Sequence, residues 1–255
     1  MFFINLFESN LRVKYFAKTI VYYTSTESTN KDVWDIYKDN NSDEKLIVIT
    51  DNQRKGKGRG QNIWFSKPGQ GITCSFLLSN VFSESKFNFH AILIPVAIIN
   101  GIKNFLSINV DIKWPNDIMY NSKKLGGILI ESKINKGKII FNIGIGLNVN
   151  EDNYDFPDSL KQRCISLKEI KGHPIQREPL LAFILNELNQ LIDNLDTTVL
   201  IEEWTQSCMH RNKQITFTKN QKRVTGVFKY INDTGQAVIK HNNNYINYDG
   251  AINLL

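Results

Sequence analysis

Apolar positions along this chain switch between short strand-like runs and stripes at helical spacing. Lys18–Thr24, Lys45–Thr50 (KLIVIT) and Gly71–Leu78 (GITCSFLL) read as strands. Between the first two, Ser28 or Thr29 is placed to cap a helix through Val33, Trp34 and Tyr37. Phe89, Ile92, Val96, Ile99, Ile102 and Leu106 predict a helix buried on one face, with Pro95 marking a late start or a kink. Asp111–Trp114, Ile118–Tyr120, Gly127–Glu131 and Lys138–Val149 are further strand candidates. From Asn150 to Pro179 the chain turns polar. Leu180, Ile184, Leu188, Leu191 and Leu195 then form a second helical stripe, followed by a helix around Val199–Cys208. After Arg211 short strands are expected at Gln214–Thr218, Arg223–Ile231 and Gln236–His241, with Asp233-Thr234-Gly235 as the turn between the last two. The pattern predicts an α/β (α+β) domain, a mixed sheet flanked by helices, over residues 20–209. An extension at 1–19 precedes it and a small β-barrel-like domain at 210–255 follows.

Composition narrows this picture little. With 255 residues, 42% apolar and 22% charged, the chain has material for a real core, and wholesale disorder is excluded. A net charge of +6 and a pI near 9.1 favour anionic partners, among them ATP, acidic proteins and nucleic acid, without choosing one. Cys74, Cys164 and Cys208 lack CxxC spacing, which argues against a disulfide framework or a zinc site and for a reducing cytoplasm. The apolar start, Met1 to Glu8, has no basic lead and is interrupted by Glu8 and Arg12, so no signal peptide is expected. No run approaches the ~18 apolar residues of a membrane span. Residues 1–19 read as an amphipathic extension, with a partner-docking segment as the alternative.

Two segments carry more charge and glycine than a packed sheet needs. Gln53-Arg54-Lys55-Gly56-Lys57-Gly58-Arg59-Gly60 follows a strand and leads into Trp64-Phe65-Ser66. Its three glycines free the backbone for positive φ, so that N–H groups can converge as an anion nest with Lys57 and Arg59 adding charge. A solvated basic turn and an RG-type nucleic-acid contact are the competing readings. The loop is neither a Walker A motif nor a dinucleotide fingerprint. The second segment is Lys113-Trp114-Pro115-Asn116-Asp117, followed by Lys124-Leu125-Gly126-Gly127-Ile128-Leu129. Its mixture of cations, an acid, an aromatic and glycines suits a carboxylate or phosphate held beside an apolar wall. Lys113 and Trp114 also read as an edge cation and a core aromatic, and Asn116-Asp117 as turn formers. Lys124 precedes a Leu-Gly-Gly break into the next strand, whereas Lys123 reads as solvated. In Gly144-Ile145-Gly146-Leu147-Asn148 the glycines offer bare backbone to a ligand. Asn148 either bonds that ligand or ends the strand. The four histidines stand outside every motif and read as structural.

Taken with Ser28-Thr29-Asn30, these ordered motifs resemble the biotin protein ligases from about Tyr22 to the C-terminus. The resemblance implies an SH3-like C-terminal domain and a two-step reaction, with ATP and Mg²⁺ converting biotin to biotinyl-5′-AMP before transfer to a lysine. Arg59, Lys124 and Lys57 become the catalytic cations. Ser28, Thr29, Asn30, Gln53, Lys57, Gly58, Arg59 and Lys124 become the biotin site. Gly56, Trp64, Asp117, Gly127 and Asn148 become the nucleotide site, with Mg²⁺ near Asp117. The family's GRGR is here Gly56-Lys57-Gly58-Arg59, with Trp64 five residues on, so Lys57 replaces an Arg, keeping charge and losing its bidentate fork. The implied acceptor is a biotin carboxyl carrier domain of acetyl-CoA carboxylase or a related carboxylase, in the cytoplasm. Only about 21 residues precede the first motif, too few for a helix-turn-helix repressor domain, so DNA is not expected as a partner, nor is a membrane. The alternatives are a lipoate ligase, a relative that binds biotin without catalysis, and a basic nucleic-acid-binding module. The chain lacks an RNP motif, zinc spacing or a basic helix for the last.

Overall fold

The computed structural model describes residues 1–12, 18–40, 45–60, 62–79, 81–82, 88–135, 137–219 and 221–254. A seven-stranded mixed sheet organises the larger part. Its strands are β1 (Thr19–Tyr23), β2 (Leu46–Thr50), β3 (Ile72–Ser79), β4 (Asp111–Lys113), β5 (Asp117–Tyr120), β6 (Lys123–Asn135) and β7 (Lys138–Leu147). They lie in the order β1-β2-β3-β7-β6-β5-β4. Only β1 and β2 run parallel, and α2 (Thr29–Asn40) forms their crossover.

Strands β2 and β3 are buried along their whole length because both faces of the sheet are covered. Leu46, Val48, Leu77 and Ile140 meet Val33, Trp34 and Tyr37 of α2. On the opposite face Ile47, Ile49, Phe76 and Ile143 join the main core with α3 (His90–Leu106) and α6 (Arg177–Asp193). Gly101 lets these two helices touch, since a methyl there would come within 2.7 Å of the Ile184 Cα. Pro95 lies inside α3, which starts ahead of it at His90, so it is not a late start.

The N-terminal stretch packs into the main core. Phe2, Phe7 and Leu11 are buried in it, and α1 (Ile4–Asn10) lies against α6. Residues 13–17 of the expected extension fall outside the described residues.

Two short helices, α4 (Asp158–Lys161) and α5 (Leu167–Lys171), break up the polar region, and α6 starts at Arg177 with Pro179 in its first turn. After α7 (Thr197–Gln206) the chain lies along edge strand β4, where Ile112 N–H donates to Ser207 O (2.7 Å) and Met209 N–H to Ile112 O (3.0 Å). That edge is thereby covered. A second, antiparallel sheet follows: β8 (Gln214–Lys219), β9 (Lys222–Ile231), β10 (Ala237–His241), β11 (Asn244–Tyr248) and β12 (Ile252–Leu254), ordered β11-β10-β9-β8-β12. Trp204 joins the two sheets, edge-on to Trp114 at 5.8 Å and tilted on Phe228 at 6.0 Å.

The strand boundaries differ from the sequence pattern in one informative place. The expected break at Leu125-Gly126-Gly127 is absent, because β6 runs unbroken from Lys123. The irregularity there is a register shift against β5, in which Ile118 pairs with Gly126 and Met119 with Lys124, leaving Leu125 as the extra residue. Strand β4 stops at Lys113, and Trp114 falls in a turn with a cis Trp114–Pro115 peptide. No helix among the described residues is long and apolar enough to cross a membrane.

Candidate functional site

The 51–71 loop, the β4–β5 turn, the start of β6 and the end of β7 surround a cleft of about 420 Å³. Every expected site residue lines it except Gly56. Gly56 is buried behind the loop, where its carbonyl accepts Trp64 N–H (3.0 Å) and a methyl would collide with the Trp64 carbonyl.

At the start of α2, Ser28, Thr29 and Asn30 are all buried. The first helical amide, Thr29 N–H, donates to Gln53 Oε1 at 2.9 Å. The cap expected from a Ser28 or Thr29 side chain therefore comes from the neighbouring loop. Thr29 Oγ1 and Ser75 Oγ lie 2.7 Å apart, and Ser75 Oγ donates to Asn30 Oδ1 at 2.7 Å. Asn142 Nδ2 holds the Asn30 carbonyl (2.8 Å), while Trp34 Nε1 donates to Glu131 beside the Asn30 amide (2.9 Å). Ser75, Glu131 and Asn142 were not anticipated, although a Ser inside an otherwise apolar buried strand is a signal. A methyl on Gly144 would overlap the Asn30 side chain.

The basic loop departs from the expected nest. Gly58 N–H is spent on Asn62 O (2.8 Å), and of its three glycines only Gly60 takes a positive φ (64°). Lys57 and Ile63 instead pair with each other as an antiparallel bridge. Lys57 and Arg59 are exposed on this lip, and neither side chain has an ion-pair partner among the described residues.

Lys124 is held differently. Its Nζ sits 2.6 Å from Asp117 Oδ1 and 5.6 Å from the Trp64 ring centroid. Its backbone is clamped by Arg163 O (2.7 Å) and Ile165 N–H (3.0 Å). The Trp64 indole lies against the sheet because Gly146 and Gly127 next to it have no side chains. The bare backbone expected to meet a ligand at Gly144 and Gly146 is thus occupied by Asn30 and Trp64. Trp64 Nε1 is buried against Gly146 with no partner among the described residues. Asn148 donates its amide to Lys124 O (3.3 Å) and Ile165 O (3.1 Å), so its donors hold the Lys124 backbone. Asn116 exchanges two bonds with the Ile128 backbone and acts as a turn former.

Phe156, Leu160, Arg163 and Cys164, unanticipated from sequence, complete an apolar and cationic wall, with Phe65 and Phe156 6.3 Å apart. The rim includes Ala251, Ile252 and Asn253, positioned by the Trp114 Nε1 bond to Gly250 O (2.8 Å). Lys57, Arg59, Lys113, Lys124 and Arg163 face a single lining carboxylate, Asp117. Such a surface attracts a polyanion. Among the described residues there is no group of three or more His, Cys, Asp or Glu able to cage a metal. No histidine lines the cleft. Burial, with help from Lys113 and Lys213, pushes His210 down to about 3, and its ring meets Phe228 edge-on at 4.4 Å.

Residues 22–150 match the model of the biotin/lipoate A/B protein ligase family. The bifunctional ligase/repressor BirA of Bacillus subtilis is 35% identical over 176 residues, covering 69% of this chain and 54% of BirA. The human biotin–protein ligase is 28% identical over 203 residues, covering 75% of this chain and 27% of that protein. The chain thus spans about half or less of the length of these relatives. Among solved structures, biotin protein ligase from Aquifex aeolicus in complex with biotin and ATP superposes with a TM-score of 0.78 at 23% identity, over 93% of this chain and 99% of that one.

Proposed function

Because the chain belongs to the biotin/lipoate A/B protein ligase family, we propose that it is an ATP-dependent biotin protein ligase. A biotin carboxylate oxygen attacks the α-phosphorus of ATP, pyrophosphate leaves, and biotinyl-5′-AMP forms. A lysine amine of a biotin carboxyl carrier domain then attacks the acyl carbon, AMP departs, and the amine loses its proton. The observation that carries this reading is Lys124 held beside Asp117 and Trp64 at the junction of two kinds of surface. On one side is the buried, hydrogen-bonded Ser28–Asn30 pocket, whose Asn and hydroxyl groups suit a ureido ring. On the other is the cationic lip of Lys57 and Arg59.

In this reading Lys124 meets the carboxylate and then the acyl phosphate, while Arg59 and Lys57 stabilise charge building on the phosphoryl oxygens. Trp64, Gly127, Phe156 and Asn148 border the nucleotide. Magnesium fits as an ion carried mainly by the phosphates and water, with Asp117 the one cleft carboxylate able to reach its shell. When bound it neutralises phosphate charge. Cys74, Cys164 and Cys208 are unpaired and buried, which suits a cytoplasmic location.

The test is biotin-dependent exchange of labelled pyrophosphate into ATP, with lipoate as the parallel substrate. Exchange with biotin alone is expected. Exchange with lipoate alone would reassign the substrate, and silence with both in folded protein would leave a binder without catalysis.

A further inference from the structure

The loop that carries Gln53, Lys57 and Arg59 leaves the sheet at Asp51 and returns at Gly71. Both ends are gripped by one group from a distant helix. Arg177, in the first turn of α6, donates through Nη1 to Asp51 Oδ1 (2.9 Å) and to Gly71 O (3.1 Å). Gly69 N–H closes the same neck on Asp51 O (2.8 Å). The far oxygen of Asp51 accepts from Tyr22 Oη (2.5 Å) and Phe2 N–H (3.1 Å), and the guanidinium lies 5.8 Å from the Phe2 ring. Burial alone would raise the Asp51 carboxyl, but Tyr22 and Arg177 together hold it below the usual carboxylate range. Gly71 also makes room for Glu151, whose Oε2 takes Val149 N–H (2.8 Å), so the end of β7 meets the same neck.

We propose that Arg177 is a positioning residue for the cleft, a staple whose two bonds hold the neck of the 52–70 loop and so keep Lys57 and Arg59 over the Ser28–Asn30 pocket. The N-terminal segment is part of the device, because Phe2 covers the ion pair and bonds Asp51 directly. The kinetic part of this inference rests on the adenylation proposed above; the mechanical part does not.

Removing Arg177 alone would leave the Asp51 carboxylate with only the exposed N-terminal ammonium, 3.5 Å away, as its cation, a disruption that confuses loop effects with global unfolding. The variant of choice is therefore the double substitution D51N/R177M in the full chain. Tryptic cleavage after Arg54, Lys55, Lys57 and Arg59 reads loop opening, alongside biotin-dependent pyrophosphate exchange and the melting curve. The expected result is a folded protein whose loop is cut at least about tenfold faster and whose kcat/KM falls by a similar factor. A folded variant with loop cleavage or kcat/KM within about twofold of the parent overturns the proposal. If the double variant does not fold, Asp51→Asn alone is read by the same two assays and the same thresholds. If the parent protein is silent in exchange with both biotin and lipoate, the functional reading falls, while the cleavage rates still decide whether Arg177 staples the loop.

Discussion

The two sides of the cleft hold their cations in opposite ways. On the sheet side Lys124 is clamped through its backbone, paired with Asp117 at 2.6 Å and laid beside Trp64. On the loop side Lys57 and Arg59 project from a glycine-bearing lip with no ion-pair partner among the described residues. The first is a preorganised charge, which costs little reorganisation at the moment of reaction. The second is held only through the neck of its loop, so in the reaction proposed above its side chains take their partners from the ligand. Sheet and loop thus differ in where their cations are fixed, one at the side chain and the other at the backbone.

That contrast can be broken experimentally. Lys124→Ala should have the largest effect, lowering kcat for pyrophosphate exchange by about 10³-fold, the upper range for a preorganised donor. A loss confined to KM would show that Lys124 only binds. Arg59→Ala should lower the adenylation rate by roughly 10²-fold, and a rate within about threefold of the parent would remove it from the mechanism. Asp117→Asn should cost about tenfold in kcat/KM by releasing the Lys124 ammonium from its fixed position. Equal activity would mean the backbone clamps alone position Lys124.

The smallest effect concerns the wall behind the loop. Burial pushes Glu151 up to about 7 against its hydrogen bond from Val149, where its ordinary value is 4.5. A carboxyl raised in the folded state contributes stability that is complete below about 4.5 and is lost as pH rises through about 7. Glu151→Gln should therefore flatten the decline of Tm between those values, as thermal melts at a series of pH values will show. An unchanged slope would place the titration elsewhere.

Much of the fold was legible because it is periodic. Runs such as KLIVIT and GITCSFLL, and the stripes through Ile92 and Leu180, state their burial directly. What escaped depends on pairing between distant segments. Strand β11 (Asn244–Tyr248) carries a single aliphatic residue and β12 is only three residues long. The β10–β11 hairpin is visible only through Asn242 and Asn243, which take positive φ of 47° and 63° as a tight turn demands. The buried chain Thr29–Ser75–Asn30–Glu131 joins α2, β3 and β6, and no local window contains it. The glycine loop was misread as a nest for a related reason: Asn62, not a ligand, uses the Gly58 amide. The motif residues that line the cleft stand out in the sequence because they mix charge, glycine and aromatic rings in a way that packing alone does not require.

Gly146 has one more consequence. By leaving space for the Trp64 indole against the sheet, it gives the protein a built-in optical reporter. Trp34 is committed to Glu131 and Trp204 to the junction between the sheets, whereas Trp114, bonded to Gly250, lines the cleft with Trp64. If the cleft takes the ligand proposed above, the surroundings of Trp64 and Trp114 change most, and intrinsic emission is the label-free way to follow it.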